Sequence, residues 1–179
     1  MMMPDMNYRK AIDSPGASGL TCSYDGHPRV VPKIWRGFAM AVVERVKSGS
    51  KYEDMFKFSR LVKVDNWIYS SNTAGRNYKT REMSEDVRKQ AHQALDNLEG
   101  ALGGLGAKLS DTVRFHIAVA TPADLEPVLE VIAERVGGND PAHTIAIGPM
   151  PHPEMKLEIA LIAYLRDPAT PDIETKVAV

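Results

Sequence analysis

The sequence is poor in cysteine: Cys22 is the only one among 179 residues, so no disulfide bond can form within a chain. A single cysteine is typical of a reducing compartment, and we expect a cytoplasmic protein. No run approaches the roughly 18 apolar residues that a membrane-spanning helix requires. The first residues, MMMPDMNYRK, also lack the apolar core of a signal peptide. We therefore expect a soluble, unprocessed protein without a membrane partner.

The sequence also lacks an excess of charge of one sign, since 22 basic and 23 acidic residues give a formal net charge of −1. Nucleic-acid-binding proteins normally present a basic face, so we expect no nucleic-acid partner. The five histidines are scattered and show no spacing typical of a metal site. No glycine-rich phosphate loop follows a predicted strand, and no serine nucleophile elbow occurs. These absences exclude the common metal, phosphate and serine-hydrolase motifs.

Apolar residues make up 44% of the chain, enough for a substantial core. We divide the sequence into an N-terminal extension (residues 1–55), a main domain (residues 56–166) and a polar, proline-rich tail (residues 167–179). The extension is rich in Gly, Pro and Ser and predicts mostly irregular structure. Within it, apolar spacings of three and four over Lys33–Lys47 favour a short helix, and its β-branched residues leave a strand as the alternative.

The first half of the main domain predicts a hairpin followed by a long helix. Leu61–Val64 and Trp67–Ser70 are rich in strand-forming residues and flank Asp65-Asn66, which tolerates the positive φ of a tight turn. Residues 71–79 are polar and predict a loop. Ser84 can then cap a helix. Apolar residues recur along that helix every three or four positions until a glycine-rich segment ends it.

The second half of the main domain alternates strands with one more helix. Alternating apolar residues over Val113–Val119 predict a strand, with His116 on its other face. Thr121-Pro122 begins a second helix, because a hydroxyl cap and a proline at the first position are typical of helix starts. Two strands follow, at Thr144–Ile147 and Lys156–Leu165.

The element order is thus β-β-α-β-α-β-β, which predicts an α+β domain. We expect both helices on one face of a single sheet, with two long crossovers joining parallel strands. The other face of the sheet also carries apolar residues and has no helix to cover it. Self-association would cover that face, so we expect a homo-oligomer.

Two residues are candidates for chemistry. Glu158 interrupts an apolar strand, where a carboxylate is costly to bury unless it is paired. It is either a salt-bridged or edge-strand charge, or a general base that positions water. His143 opens the neighbouring strand directly after Pro141-Ala142, at the mouth of the sheet. It is either a surface residue or a catalytic partner of Glu158.

The main domain resembles the Rid family, also called YjgF-like or endoribonuclease L-PSP, from about Phe56 to Arg166. The resemblance rests on short motifs that occur in the family's order: Phe58-Ser59-Arg60, Ile68–Thr73, Gln90–Leu98, Ala107–Val113, Pro141–Thr144 and Leu157–Ile159. It implies a chorismate-mutase-like fold and a homotrimer with ligand pockets between subunits. It further implies hydrolysis of enamines and imines to keto acids and ammonia, with no metal or cofactor.

In this family an arginine binds the substrate carboxylate and a glutamate positions the water. The resemblance places that glutamate at Glu158 and puts His143 in the position of the arginine. It places six further residues around the substrate: Phe58, Ser71, Asn72, Leu129, Thr144 and Ile145.

Several of these positions depart from the family pattern. Arginine binds a carboxylate through two parallel N–H bonds and keeps its charge, and histidine does neither. Phe58 lacks the hydroxyl of the family's tyrosine, Asn72 replaces a glycine, and Leu129 replaces an asparagine. Of the usual polar set, Glu158 and Ser71 remain.

We therefore predict a divergent Rid-family protein that acts on a small unsaturated nitrogen compound, with Glu158 and His143 as an acid/base pair. One alternative is a non-catalytic, ligand-binding or regulatory trimer. Another is an RNA-cleaving translation inhibitor, which the net charge of −1 disfavours.

Overall fold

The computed structural model describes residues 21–24, 27–30, 41–167, 169 and 173–178. The chain forms two compact units, residues 1–40 and residues 41–179. In the first unit, β1 (Thr21–Tyr24) and β2 (His27–Val30) pair antiparallel. The proposed domain boundary at residue 55 and the role of the extension stay predictions.

The second unit is built around one seven-stranded sheet. Its strands are β3 (Val43–Val46), β4 (Leu61–Val64), β5 (Trp67–Ser70), β6 (Thr73–Ala74), β7 (Thr112–Val119), β8 (Ala142–Ile147) and β9 (Leu157–Tyr164). Its α-helices are α1 (Lys51–Met55), α2 (Val87–Gly103) and α3 (Pro122–Val136), and Leu109–Asp111 forms a 3₁₀ turn. The strand order is β3-β4-β5-β9-β7-β8, and β6 also pairs with β9.

The predicted α+β fold is confirmed. β4 and β5 form the expected hairpin, with Asp65 at a φ of 52° in its turn. β5 and β7 both run antiparallel to β9, so they are parallel to each other, and β7 pairs parallel with β8. The two crossover helices therefore connect parallel strands, as predicted. The last strand, β9, lies in the middle of the sheet and carries Glu158 there.

The boundaries of α2 and α3 agree with the sequence except at one cap, whereas the short helix α1 was not predicted. The side chain of Asp86, not of Ser84, caps α2 by accepting hydrogen bonds from the backbone N–H groups of Arg88 and Lys89. A carboxylate two residues nearer the helix takes the donors that Ser84 was expected to bind. α3 begins at Pro122 after Thr121, as predicted, and the N–H and hydroxyl of Thr121 both donate to the Asp124 carboxylate.

Three other predictions differ from the structure. Val43–Val46 is a strand, so the strand alternative holds for this part of Lys33–Lys47, whereas positions 33–40 lie outside the described residues. Residues 71–79 are not all loop, because Thr73–Ala74 pairs with β9. Val113 is exposed rather than on the apolar face, because the register of β7 shifts between Thr112 and Arg114.

Helices α2 and α3 pack on the sheet face that carries Phe115, Ile117, Ile159 and Leu161, all buried in one hydrophobic core. We call this the helix face. The opposite face, the open face, carries Trp67, Tyr69, Arg114, His116, Ala118, Glu158, Ala160, Ile162 and Tyr164. Neither long helix covers it, and the side chains of Trp67 and Tyr69 stay 44% and 45% exposed. Its apolar residues are consistent with burial in an oligomer, which stays a prediction.

Candidate active site

Glu158 lies on the open face of β9, between β6 and β7. Its register partners are Ala74 and Ala118, whose small side chains leave the carboxylate partly exposed. A central strand rules out the edge-strand interpretation of this charge. Among the described residues, no cation forms an ion pair with Glu158. The carboxylate is therefore held in place by the sheet and remains available to a ligand.

Asn72 is the described residue whose side chain reaches Glu158, with Nδ2 donating to Oε2 at 3.3 Å. The local chain path explains this contact. Beyond Tyr69, β5 stops pairing with β9 through its backbone, and the Ser70 hydroxyl accepts the hydrogen bond of the Leu161 N–H at 2.7 Å. Pairing resumes at Thr73, so Asn72 is held directly beside β9.

Ser71 and Phe58 lie in the segments that flank this contact. The Ser71 hydroxyl donates to the Ser59 carbonyl at 2.8 Å, and the Ser71 N–H donates to the Arg60 carbonyl. Ser71 thus ties the two segments together. Phe58 is partly exposed next to them. Four of the predicted site residues, Glu158, Asn72, Ser71 and Phe58, therefore lie on connected elements, and we call them the glutamate group.

His143, Thr144 and Ile145 lie on β8, an edge strand of the sheet. All six residues of β8 are exposed. The ring of His143 meets the buried ring of Phe115 edge-on, with centroids 6.0 Å apart. The Thr144 hydroxyl accepts a hydrogen bond from Arg114 Nε at 3.1 Å. Leu129 lies on α3 and packs partly buried against the core. We call these four residues the histidine group.

The sheet register separates the two catalytic candidates. His143 pairs with Phe115, and Glu158 pairs with Ala118, three residues further along β7. Paired residues share a face and successive residues alternate, so His143 lies on the helix face and Glu158 on the open face. Within one chain, the sheet itself stands between them.

Sequence reasoning missed a buried ion pair behind the glutamate group. Arg60 Nη2 lies 3.2 Å from Glu53 Oε1, and both side chains are almost completely buried. The sequence gives no sign of this pairing, because Arg60 follows Phe58-Ser59 and Glu53 lies in a polar segment, and neither position shows a pattern of burial.

A separate cavity of about 470 Å³ lies between the segment after β6 and α2. It is lined by Gly75, Asn77, Glu82, Met83, Ser84, Lys89 and Gln93, none of which is a predicted site residue.

Among the described residues, no cluster of His, Cys, Asp and Glu has the composition of a metal site. The described helices are all too short or too polar to cross a membrane.

Comparisons with known proteins agree with the fold. The family model described as Endoribonuclease L-PSP matches residues 50–165. A 2-iminobutanoate/2-iminopropanoate deaminase from Dermatophagoides farinae is 31% identical over 110 residues, which are 60% of this chain and 85% of that protein. Reactive Intermediate Deaminase A, chloroplastic, from Arabidopsis thaliana is 32% identical over 110 residues, which are 60% of this chain and 58% of that protein.

A solved structure from Mycobacterium tuberculosis, of a member of the YjgF/YER057c/UK114 family, has a TM-score of 0.63 and 30% identity. The similarity covers 69% of this chain and all of that one. The sheet order, the two crossover helices and the sequence match thus agree, and the chain belongs to the endoribonuclease L-PSP family, also known as the Rid or YjgF family.

Proposed function

We propose that this protein hydrolyses a small imine or enamine to a carbonyl compound and ammonia, in a pocket formed between subunits of a homotrimer. The observation that carries the proposal is the Glu158 carboxylate, fixed on the central strand and contacted by the Asn72 amide at 3.3 Å. The relatives named as iminobutanoate/iminopropanoate and reactive-intermediate deaminases support the reaction class.

The reaction needs a base for water and a proton for nitrogen. Glu158 would accept a proton from water as the oxygen attacks the C=N carbon, and the resulting tetrahedral adduct would release ammonia after protonation of nitrogen. Water supplies the oxygen of the carbonyl product and two of the three hydrogens of ammonia, and the imine N–H supplies the third. An enamine would first move one N–H proton to carbon and so become the imine. Asn72 would hold the Glu158 carboxylate in one orientation and leave its second oxygen free for water.

His143 would take the place of the arginine that binds a substrate carboxylate. A protonated imidazole can pair with a carboxylate, but with one N–H at a time. We therefore expect this protein to bind a substrate carboxylate more weakly than a relative with arginine does, or to bind a ligand with a smaller anionic group. His143 could also donate the proton that the departing nitrogen requires.

The positions of His143 and Glu158 on opposite faces of the sheet support a pocket between subunits. Glu158 cannot reach a ligand held by His143 of the same chain, because the sheet lies between them. A neighbouring copy would have to bring its histidine group to the glutamate group. β8 is exposed along its whole length, and neither long helix covers the open face, so among the described residues both surfaces can take part in such an arrangement.

Turnover of freshly generated 2-iminopropanoate, an imine named for a relative, tests the proposal. The imine is produced in situ by an amino-acid oxidase, and release of keto acid is followed with and without the protein. We expect Glu158→Gln to lower kcat by at least about 100-fold, since general-base catalysis contributes that much. The control Glu154→Gln changes a nearby exposed carboxylate that pairs with Arg76 instead. Equal rates for Glu158→Gln and the parent protein would refute the proposed reaction.

A second candidate is a binding protein without catalysis, which Phe58 and His143 favour because the family's hydroxyl and guanidinium are missing there. Such a protein would be stabilised thermally by a ligand that it leaves unchanged. Chemical conversion of that ligand during the measurement would exclude this candidate.

A further inference from the structure

The ion pair of Arg60 and Glu53 is the most deeply buried charge cluster among the described residues outside the proposed site. The two residues are 5% and 0% exposed. Glu53 Oε1 accepts from Arg60 Nε at 3.2 Å and from the Ser48 hydroxyl at 2.7 Å, and Oε2 accepts from the Ser48 N–H at 2.8 Å. Both carboxylate oxygens of Glu53, a residue of α1, are therefore occupied, and Ser48 in the turn between β3 and α1 helps to fix the carboxylate.

The remaining face of the Arg60 guanidinium is directed at the glutamate group. Nη1 donates to the Asn72 carbonyl at 2.7 Å and to the Thr73 hydroxyl at 3.0 Å. Arg60 Cζ also lies over the rings of Phe58 and Tyr78, 5.7 Å from each centroid. One buried cation thus contacts two predicted site residues, Asn72 and Phe58, and the start of β6.

Stability alone is a weak reason for such a pair. Removing two charges from water is costly, and well-packed apolar residues of similar volume often replace a buried ion pair with no loss of stability. What the pair adds is geometric precision. The N–H groups of the planar guanidinium point in fixed directions, so they hold the backbone carbonyl of Asn72 in one place.

We propose that Arg60, oriented by Glu53, is a positioning residue for Glu158 that acts through Asn72. The guanidinium fixes the Asn72 backbone from behind, and the Asn72 amide then holds one oxygen of the Glu158 carboxylate. The chain of contacts runs from Ser48 through Glu53, Arg60 and Asn72 to Glu158. Its catalytic consequence rests on the proposed function, whereas its structural consequence can be measured without a substrate.

The structural test uses the side-chain amide signals of Asn72 in protein labelled with ¹⁵N-asparagine, assigned by comparison with Asn72→Ala. Because the Asn72 amide donates to the Glu158 carboxylate at 3.3 Å, the substitution Glu158→Gln should shift these signals in the parent protein. The same substitution is made in each variant below, and the resulting shift is compared with that in the parent. The double variant Glu53→Leu/Arg60→Met replaces the pair by apolar residues of similar size. We expect it to lose more than half of the shift while its Tm changes by only a few degrees.

A matched control replaces the Lys63–Glu44 ion pair, which lies in the same sheet at 2.6 Å and does not contact Asn72. Glu44→Leu/Lys63→Met should keep the full shift. If the buried double variant does not fold, Arg60→Lys is used instead. This variant keeps the positive charge beside Glu53 but cannot make both contacts of the guanidinium to Asn72 and Thr73. It should show the same loss of shift. An unchanged shift in the folded variant used, either the double variant or Arg60→Lys, would overturn the proposal.

The catalytic test measures kcat and KM of the same variants with 2-iminopropanoate. We expect kcat to fall at least about tenfold with a smaller change in KM, because a displaced base loses more in the transition state than in binding. If the parent protein shows no turnover, the proposed reaction fails, and the shift of the Asn72 amide signals on Glu158→Gln still decides whether Arg60 positions Asn72.

Discussion

His143 and Glu158 lie on opposite faces of one sheet, although the family resemblance makes both of them pocket residues. The register of β7 fixes this relationship, since Phe115 pairs with His143 and Ala118 pairs with Glu158. A change of one residue in that register would bring them to the same face. The separation means that a pocket containing both requires two copies of the chain.

Introducing the missing arginine should strengthen binding of anionic ligands. We expect His143→Arg to lower the Kd or KM for an imine that carries a carboxylate by roughly tenfold, because a guanidinium makes two parallel charged hydrogen bonds. His116→Arg is the matched control, because His116 is an exposed histidine on the neighbouring strand and on the open face. An equal gain for both variants would show that general charge, and not the position of residue 143, is responsible.

Gly75 should not tolerate a side chain. A Cβ at this position would overlap the backbone oxygen of Gln90, and because the obstacle is backbone, no side-chain movement can relieve the contact. Gly75→Ala must therefore displace the segment after β6 or α2, and we expect a loss of more than about 2 kcal/mol in the free energy of unfolding.

Gly100 is the control for this substitution. It lies within α2, and a Cβ there would meet nothing within 4 Å. Gly100→Ala should raise the free energy of unfolding by about 0.5–1 kcal/mol, the usual helix-propensity gain. Urea denaturation of both variants measures the difference. Equal stability of the two variants would contradict the close approach at Gly75.

Asp86 should make the stability of α2 depend on pH. Hydrogen bonds from the backbone N–H groups of Lys89 and Arg88 hold the pKa of Asp86 below its ordinary value of 3.8. A carboxyl whose pKa is lowered by folding stabilises the protein above its unfolded pKa, and this contribution disappears as the pH falls through the folded pKa. Asp86→Ala should lower Tm by roughly 2–4 °C at pH 7, and the difference should vanish in strong acid.

Glu85→Ala is the control for the cap, since the neighbouring Glu85 does not cap the helix. Its Tm difference from the parent should be smaller at pH 7. A Tm difference for Asp86→Ala that persists unchanged in strong acid would show that the aspartate acts through packing and not through its charge.

The sequence predicts the main elements of the fold because their signals are local. Three of these signals are the turn at Asp65-Asn66, the Thr121-Pro122 start of α3 and the apolar periodicity of α2, and each involves residues a few positions apart. Helix caps are less certain where two candidates are close, and Asp86 rather than Ser84 caps α2. β6 has only two residues, too few to show a period, and its pairing with β9 depends on residues more than 80 positions away.

The candidate site is less accessible to sequence reasoning than the fold. Glu158 is conspicuous, because a charge inside an apolar strand breaks the local pattern. Its contact with Asn72 spans 86 positions and has no local signal. Arg60 and Glu53 look like ordinary surface residues in the sequence, and their burial follows from the folding of β3 and α1 beside β4. The opposite faces of His143 and Glu158 follow only from strand register.

The mass of the assembled protein is a first check on the proposed pocket. Sedimentation equilibrium should give three times the 19.7 kDa of the chain. Trp67 and Tyr69 should become less accessible to a fluorescence quencher on assembly if the open face is buried between subunits. A monomer at micromolar concentration would leave His143 and Glu158 apart and would contradict the proposed pocket.

Activity of mixed oligomers is the most direct test of a pocket shared between copies. His143→Ala and Glu158→Gln should each be inactive alone, and the two variants are then co-expressed with different tags and purified together. If each site takes His143 from one subunit and Glu158 from another, random mixing restores about a quarter of the parental turnover of 2-iminopropanoate. Mixed oligomers with no more activity than the separate variants would contradict a site completed by the neighbouring subunit.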